Sequence, residues 1–217
     1  MTNPVSSILQ EGRDRRLRHR PHTTMSFEVG DIIHREGDPA DALYIVSRGV
    51  LLLSRLTSDG EEKPISILSA GDMFGDDNLI EGIYLTTATC LTDVTLRAVG
   101  YDRLQPDDMP FLLWNSVERH RKLLEHTSRI STSSVRVRVC DVLTRLLTTE
   151  LAEPHESGAF VVRLSQQQIS DLAHARREST AKVLAELRAE ELITTGYNVV
   201  AVLDPMKLVE IAEGFGD

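Results

Sequence analysis

Ser165, Gln167, Arg176, Arg177, Glu178, Ser179 and Lys182 fall within one short stretch, and their side chains suit gripping and reading a nucleic acid better than making or breaking bonds. A guanidinium forms two parallel hydrogen bonds with guanine O6 and N7, and a carboxylate accepts from cytosine N4, each worth ~1–3 kcal/mol of discrimination. On that ground Arg177 and Glu178 are assigned to base edges, with Arg176 adding a positive group beside them. Gln167, Ser179 and Lys182 suit phosphate oxygens, which position a protein without specifying sequence. Ser165 opens the stretch and completes the candidate contact set.

Bond chemistry has no comparable constellation. The chain carries no nucleophile elbow, phosphate loop or HExxH pair. A metal-dependent β-roll enzyme needs two close histidines, a carboxylate and a further histidine, and the strand-rich region offers His34 alone. The expectation is a non-enzyme without a metal site. Cys90 and Cys140, far apart and among apolar or β-branched neighbours, are too few for zinc or an iron–sulfur cluster and read as reduced, half-buried thiols. His34, His120 and His126 are each candidate single ligands for haem, so a haem cofactor stays open. The segment GRDRRLRHRPH, with His19 and His22, reads as a frayed basic arm or one that packs on the strands or assists DNA binding.

Elements must position these side chains. Ser165 caps a helix over Gln166–Ala173, a turn follows at His174 and Ala175, and Arg177–Glu191 forms a second helix with Thr180, Val183, Leu184 and Leu187 inward. Leu192–Val202 then reads as strand, turn, strand: a wing. Upstream, Leu113, Val117, His120, Leu124 and Thr127 recur at 4-3-4-3 spacing within a long helix from Pro110 to about Arg129, widened by Leu123 and Ile130. That stripe is read as a seam between two copies of the chain. Ser131–Ser134 interrupts the pattern as a hinge, and Ser134 caps a helix over Val135–Leu151. From Ser26 to about Leu104, short β-runs such as Ala42–Val46 and Val50–Leu56 alternate with glycine-containing turns, the rhythm of a small β-roll.

Composition sets the outer limits. With 217 residues, 41% hydrophobic and 26% charged, the chain is long enough for two small packed units. A formal charge of −9 excludes coating nucleic acid by net attraction, so DNA binding has to be local and salt-sensitive. No apolar run reaches membrane-spanning length and no secretory leader precedes the first arginines, so a cytoplasmic protein without membrane contact is expected.

Three stretches in order resemble the cyclic AMP receptor protein/FNR (CRP/FNR) family of bacterial transcription regulators: GDIIHREGDPADALYIVSRGVLLLSR at 30–55, AGDMFGDDNLIEG at 70–82 and LSQQQISDLAHARRESTAKVLAELRAEELI at 164–193. The resemblance implies an α+β chain with an N-terminal cyclic-nucleotide-binding-type β-roll (jelly-roll), a long dimerisation α-helix and a C-terminal winged helix-turn-helix. The expected divisions are an arm at 1–25, the sensor roll at 26–106, helix and hinge at 107–134, and the DNA-binding unit at 135–217. Two turn residues depart from the family: His174 stands where glycine is common, and Arg176 replaces a small capping residue.

The resemblance also locates an effector pocket at Gly75, Asp76, Ile83, Tyr84, Leu85 and Thr86, with Leu123 and Leu124 from the long helix. Nucleotide-responsive relatives place an arginine here for the cyclic phosphate, but from Leu56 to Leu96 this chain has only Lys63 as a basic residue. A buried phosphate without charge-assisted partners costs several kcal/mol. Cyclic AMP in the usual pose is therefore disfavoured, and Asp76 and Asp77 read as turn formers. Control by a more apolar ligand through Ile80, Ile83, Tyr84 and Leu85, by haem, or by no effector all remain open. The resulting expectation is a homodimeric, sequence-specific regulator of near-palindromic double-stranded DNA, with RNA polymerase a candidate partner. The alternatives are a sensor acting through a protein partner and a cyclic-nucleotide regulator with an atypical pocket.

Overall fold

The computed structural model describes residues 23–76, 82–155 and 158–214, with backbone alone at residue 122 and at 125–132. The N-terminal arm through residue 22, Asp77 and Ile80, and the side chains of His126, Thr127 and Ile130 lie outside the described residues.

Two antiparallel sheets face each other in the roll. One orders β1 (Thr23–Phe27), β8 (Val94–Gly100), β3 (Ala42–Arg48) and β6 (Met73–Phe74); the other orders β2 (Ile32–His34), β7 (Thr87–Cys90), β4 (Leu51–Leu56) and β5 (Glu62–Leu68). Strand β3 shows why both its faces are apolar. Ala42, Tyr44 and Val46 point into the roll with Leu51, Phe74, Tyr84 and Leu96, while Leu43 and Ile45 join Met73, Val99 and Leu112 on the opposite side. Between β3 and β4 the chain turns at Gly49, φ 91°, where any Cβ would collide with the Asp93 carbonyl.

Helix α1 (Met109–Thr132) leaves the roll through two short 3₁₀ turns, Tyr101–Arg103 and Pro106–Asp108. Asp108 accepts the Gln105 N–H at 2.9 Å and anchors this entry. Helix α2 (Val135–Leu147) begins where the Ser134 hydroxyl accepts from the Val137 N–H at 3.3 Å. The break between these helices is shorter than expected, Ser133 and Ser134 only, because Ser131 and Thr132 continue α1. Helix α2 also ends early. The hydroxyls of Thr148 and Thr149 donate to the Arg145 and Leu146 carbonyls at 2.8 and 2.7 Å, and the chain leaves the helical path.

Three features of the C-terminal unit went unseen in the sequence: β9 (Ala152–Pro154), β10 (Phe160–Val162) and α5 (Pro205–Ala212). The wing strands β11 (Ile193–Gly196) and β12 (Val199–Val202) join β9 and β10 in a sheet ordered β11-β12-β10-β9. The core gathers Val139, Cys140 and Leu143 of α2 with Ile169, Leu184, Leu187, Val202 and Ile211. Roll and C-terminal unit touch directly. Val50 is fully buried in that second core, with Ile67 and Leu91 against it. Glu150 accepts the Gly49 N–H at 3.3 Å and pairs with Arg48 at 3.4 Å, while Lys63 lies 3.9 Å from Asp171.

Candidate nucleic-acid interface

Helix α3 (Gln166–Leu172) starts in a reciprocal cap: the Ser165 hydroxyl accepts from the Gln168 N–H at 3.1 Å and the Gln168 side chain accepts the Ser165 N–H at 2.9 Å. It ends one residue sooner than expected, at Leu172. His174 takes φ 47°, its N–H donates to the Asp171 carbonyl at 3.0 Å, and the Ala175 N–H donates to Ser170 at 2.9 Å. This left-handed cap stops α3 and swings the chain into α4 (Arg177–Ala189). Arg176 supplies no side-chain cap, because a guanidinium has no acceptor to offer the first N–H groups of the helix. Helix α4 stops at Ala189, not Glu191: Glu191 takes φ 58° and the Leu192 N–H donates to Leu187 at 3.0 Å.

Thr180, Val183, Leu184 and Leu187 are buried, as their spacing requires. The opposite face carries Arg177, Glu178 and Lys182 in solvent, with Arg176 exposed just ahead of it and Ser179 half-buried. Gln167 is exposed on α3 and donates to Asp171 at 3.0 Å, whereas Ser165 is half-buried in its cap. Of the nominated side chains, Arg176, Arg177, Glu178 and Lys182 are exposed at and just beyond the start of α4, and Gln167 is exposed near the start of α3. Farther along α4, Arg136 reaches Glu190 at 2.6 Å and Glu186 at 3.9 Å, compensating acid that would repel a polyanion. Arg188 donates to Thr195 at 3.2 Å and ties α4 to the wing, whose tip residue Tyr197 is 94% exposed.

Behind the reading head, the nominated pocket is crowded by the protein's own aromatic side chains. His34 stacks on Tyr84 with ring centres 3.7 Å apart, and Phe74 and Tyr44 flank it at 5.7 and 6.0 Å. The Tyr84 hydroxyl lies 3.1 Å from the Ala42 carbonyl and 3.3 Å from the Tyr44 hydroxyl. Burial pushes the His34 pKa down to about 4 against the opposing pull of Asp38, and burial raises that of Tyr84. Burial likewise lifts the Cys90 and Cys140 thiols to about 11 and about 12; both are fully buried rather than half-buried. Leu85 and Thr86 are half-buried, and Ile83 is exposed beside Pro39.

Asp76 is more than a turn former. Its carboxylate, 7% exposed, pairs with Arg119 of α1, and its Oδ1 has no hydrogen-bond partner. Gly75, at φ 87°, precedes it, with its carbonyl accepting the Tyr101 hydroxyl at 2.5 Å. A cation therefore reaches this site from a helix distant in sequence, which a reading of the local segment did not find. Among the described residues no group of three or more His, Cys, Asp or Glu side chains is placed to hold a metal ion. His34 is sealed in the aromatic cluster and His120 stands in solvent.

On α1, Leu112 faces the roll core while Leu113, Val117, His120, Leu123 and Leu124 stay exposed in the single chain. No helix among the described residues is long and apolar enough to cross a membrane.

Comparison with known proteins agrees with this geometry. The model of the cyclic nucleotide-binding domain matches residues 24–106, and that of the Crp-like helix-turn-helix domain matches 137–211. Transcriptional regulator SdrP of Thermus thermophilus is 30% identical over 200 residues, covering 89% of this chain and 96% of its own. The CRP-like cAMP-activated global transcriptional regulator of Mycobacterium tuberculosis is 29% identical over 199 residues, 87% of each chain. A crystal structure of a CRP/FNR-family transcriptional regulator from Thermus thermophilus superposes with a TM-score of 0.79 at 27% identity, covering 88% of this chain and 98% of that one. A β-roll, a long helix and a winged helix-turn-helix, joined in this order and matched along most of their length, make this chain a member of the CRP/FNR family of transcription regulators.

Proposed function

We propose that the protein acts as a homodimer on near-palindromic double-stranded DNA, with Arg177 and Glu178 reading base edges. Gln167, Ser179 and Lys182 hold phosphates, Arg176 adds positive charge, and Ser165 fixes the start of α3. The observation that carries this reading is the two-sided α4, apolar and buried on one face, with Arg177, Glu178 and Lys182 exposed on the other. The roll at 26–106 serves as sensor or scaffold, 107–134 as seam and hinge, and 135–217 as reading head. The cytoplasm is the compartment this role needs, RNA polymerase is its natural further partner, and no reaction is assigned to the chain.

Cyclic AMP in the family's usual pose is disfavoured because the cassette has no arginine of its own, the guanidinium that reaches it, Arg119, is engaged by Asp76, and Tyr84 stacks on His34 there. The pairing of Asp76 with Arg119 favours a second reading for control: a ligand that takes the open Oδ1 of Asp76 also disturbs the bond holding α1 to the roll. Such a ligand brings a hydrogen-bond donor, and its arrival is transmitted along α1 to the break at Ser133 and Ser134.

Titration of the full chain with fluorescent duplex DNA at two salt concentrations tests the principal reading. Affinity is expected to fall steeply with salt. Arg177→Ala should cost about 1–3 kcal/mol on the preferred sequence and relax specificity, whereas Lys182→Ala should weaken all sequences alike and lower the salt slope by about 1. Salt-independent or absent binding would refute it.

A further inference from the structure

Glycine fits a left-handed turn without penalty, yet His174 occupies φ 47° between α3 and α4, a conformation that costs a residue with a Cβ ~1 kcal/mol or more. Two backbone hydrogen bonds, His174 to Asp171 and Ala175 to Ser170, lock the turn, and His174 is an exposed residue two positions before Arg176. When a helix-turn-helix docks, its first helix crosses the DNA backbone and its second enters the major groove. The turn joining them is then beside a phosphate.

Charged neighbours converge on this turn from two helices. Arg138 and Arg145 stand two turns apart on one face of α2, and Asp171 is the acid on α3, itself shared with Gln167 and Lys63. Arg145 also pairs with Asp141 at 3.2 Å. Partial burial and the two arginines hold the imidazole's pKa below its ordinary value against the weaker pull of Asp171. A phosphodiester oxygen arriving here reverses that balance.

We propose that His174 is a protonation-linked phosphate contact: DNA docking draws a proton onto its imidazole, so affinity for duplex DNA of any sequence rises as pH falls. The inference rests on the DNA-binding reading of α4 and adds a pH response to it. The electroneutral alternatives at this position, glycine or glutamine, lack that response.

The experiment is a titration of the full chain and of His174→Gln and His174→Gly with a fluorescent mixed-sequence duplex at fixed ionic strength from about pH 8 to about pH 6. The wild type is expected to gain about 5- to 10-fold more affinity over that range than either variant, the limit being tenfold per pH unit for one proton taken up. His174→Gln keeps the test valid should His174→Gly alter the turn. NMR titration of the His174 ring should show a higher pKa in the complex than in the free protein. Equal pH slopes in all three proteins, or an unchanged ring pKa, would overturn the proposal while leaving DNA binding intact. Failure of every protein to bind duplex DNA at any pH would instead overturn the reading of α4.

Discussion

At the scale of single residues, the exposed face of α4 was legible because Arg177, Glu178 and Lys182 fall outside the inward set Thr180, Val183, Leu184 and Leu187 in the helix period. Asp76 was misread because its partner Arg119 lies 43 positions on, and no local pattern connects them. His34 presents the same difficulty. Its neighbours Tyr44, Phe74 and Tyr84 come from three separate segments, and only the closed roll stacks them around it. This burial has a measurable consequence. The folded pKa of about 4 lies below the ordinary 6.5, so the unfolded chain binds the proton first as pH falls. The stability this group contributes is complete above about pH 6.5 and declines toward pH 4, by up to about 3 kcal/mol. Chemical denaturation across that range should show His34→Phe with a shallower loss than the wild type. Parallel losses would mean that His34 does not set the acid limb.

Among the elements, those with long periodic faces were legible and short ones were not. Helix α4 declared itself through four inward residues, and α1 through its apolar stripe. Strands β9 and β10 have three residues each, too few for alternation to register, and one ends in Pro154. The ends of α2, α3 and α4 depended on hydroxyl capture and left-handed residues at 174 and 191, which propensity places only approximately. On α1, Leu113, Val117 and Leu124 are 47%, 42% and 58% exposed while Leu112 is 7% exposed, the division expected of a helix with one face on the roll and another awaiting a second copy. Val117→Asp should therefore shift sedimentation from twice the 24.2 kDa chain mass to the chain mass itself, with the far-ultraviolet spectrum preserved. An unchanged dimer would place the interface elsewhere.

For the whole molecule, charge and connection matter more than any one contact. A chain of net charge −9 exposes Arg176, Arg177 and Lys182 over the first turns of α4, while Arg136 pairs with Glu186 and Glu190 at its far end. The reading head is also continuous with the roll: Val50 fills the second core, Glu150 clasps Arg48 and Gly49, and Lys63 approaches Asp171 on α3. Arg119 and Asp76 join the roll to α1. These bonds connect the roll with the rest of the chain at two places, at α1 and across the Val50 face. Sequence patterning indicated roll, helix and head in order, but contacts between them arise only once the chain has folded back on itself.

Selection of bound sequences from a random duplex pool by the full-length chain shows whether a symmetric pair of α4 helices reads DNA. The expected result is an enriched site of two inverted half-sites whose centres lie about 34–36 Å apart, one helical turn or a multiple of it. Arg177→Ala should relax the base preference in both halves equally. Enrichment of no sequence, or of a single half-site without inverted symmetry, would contradict it.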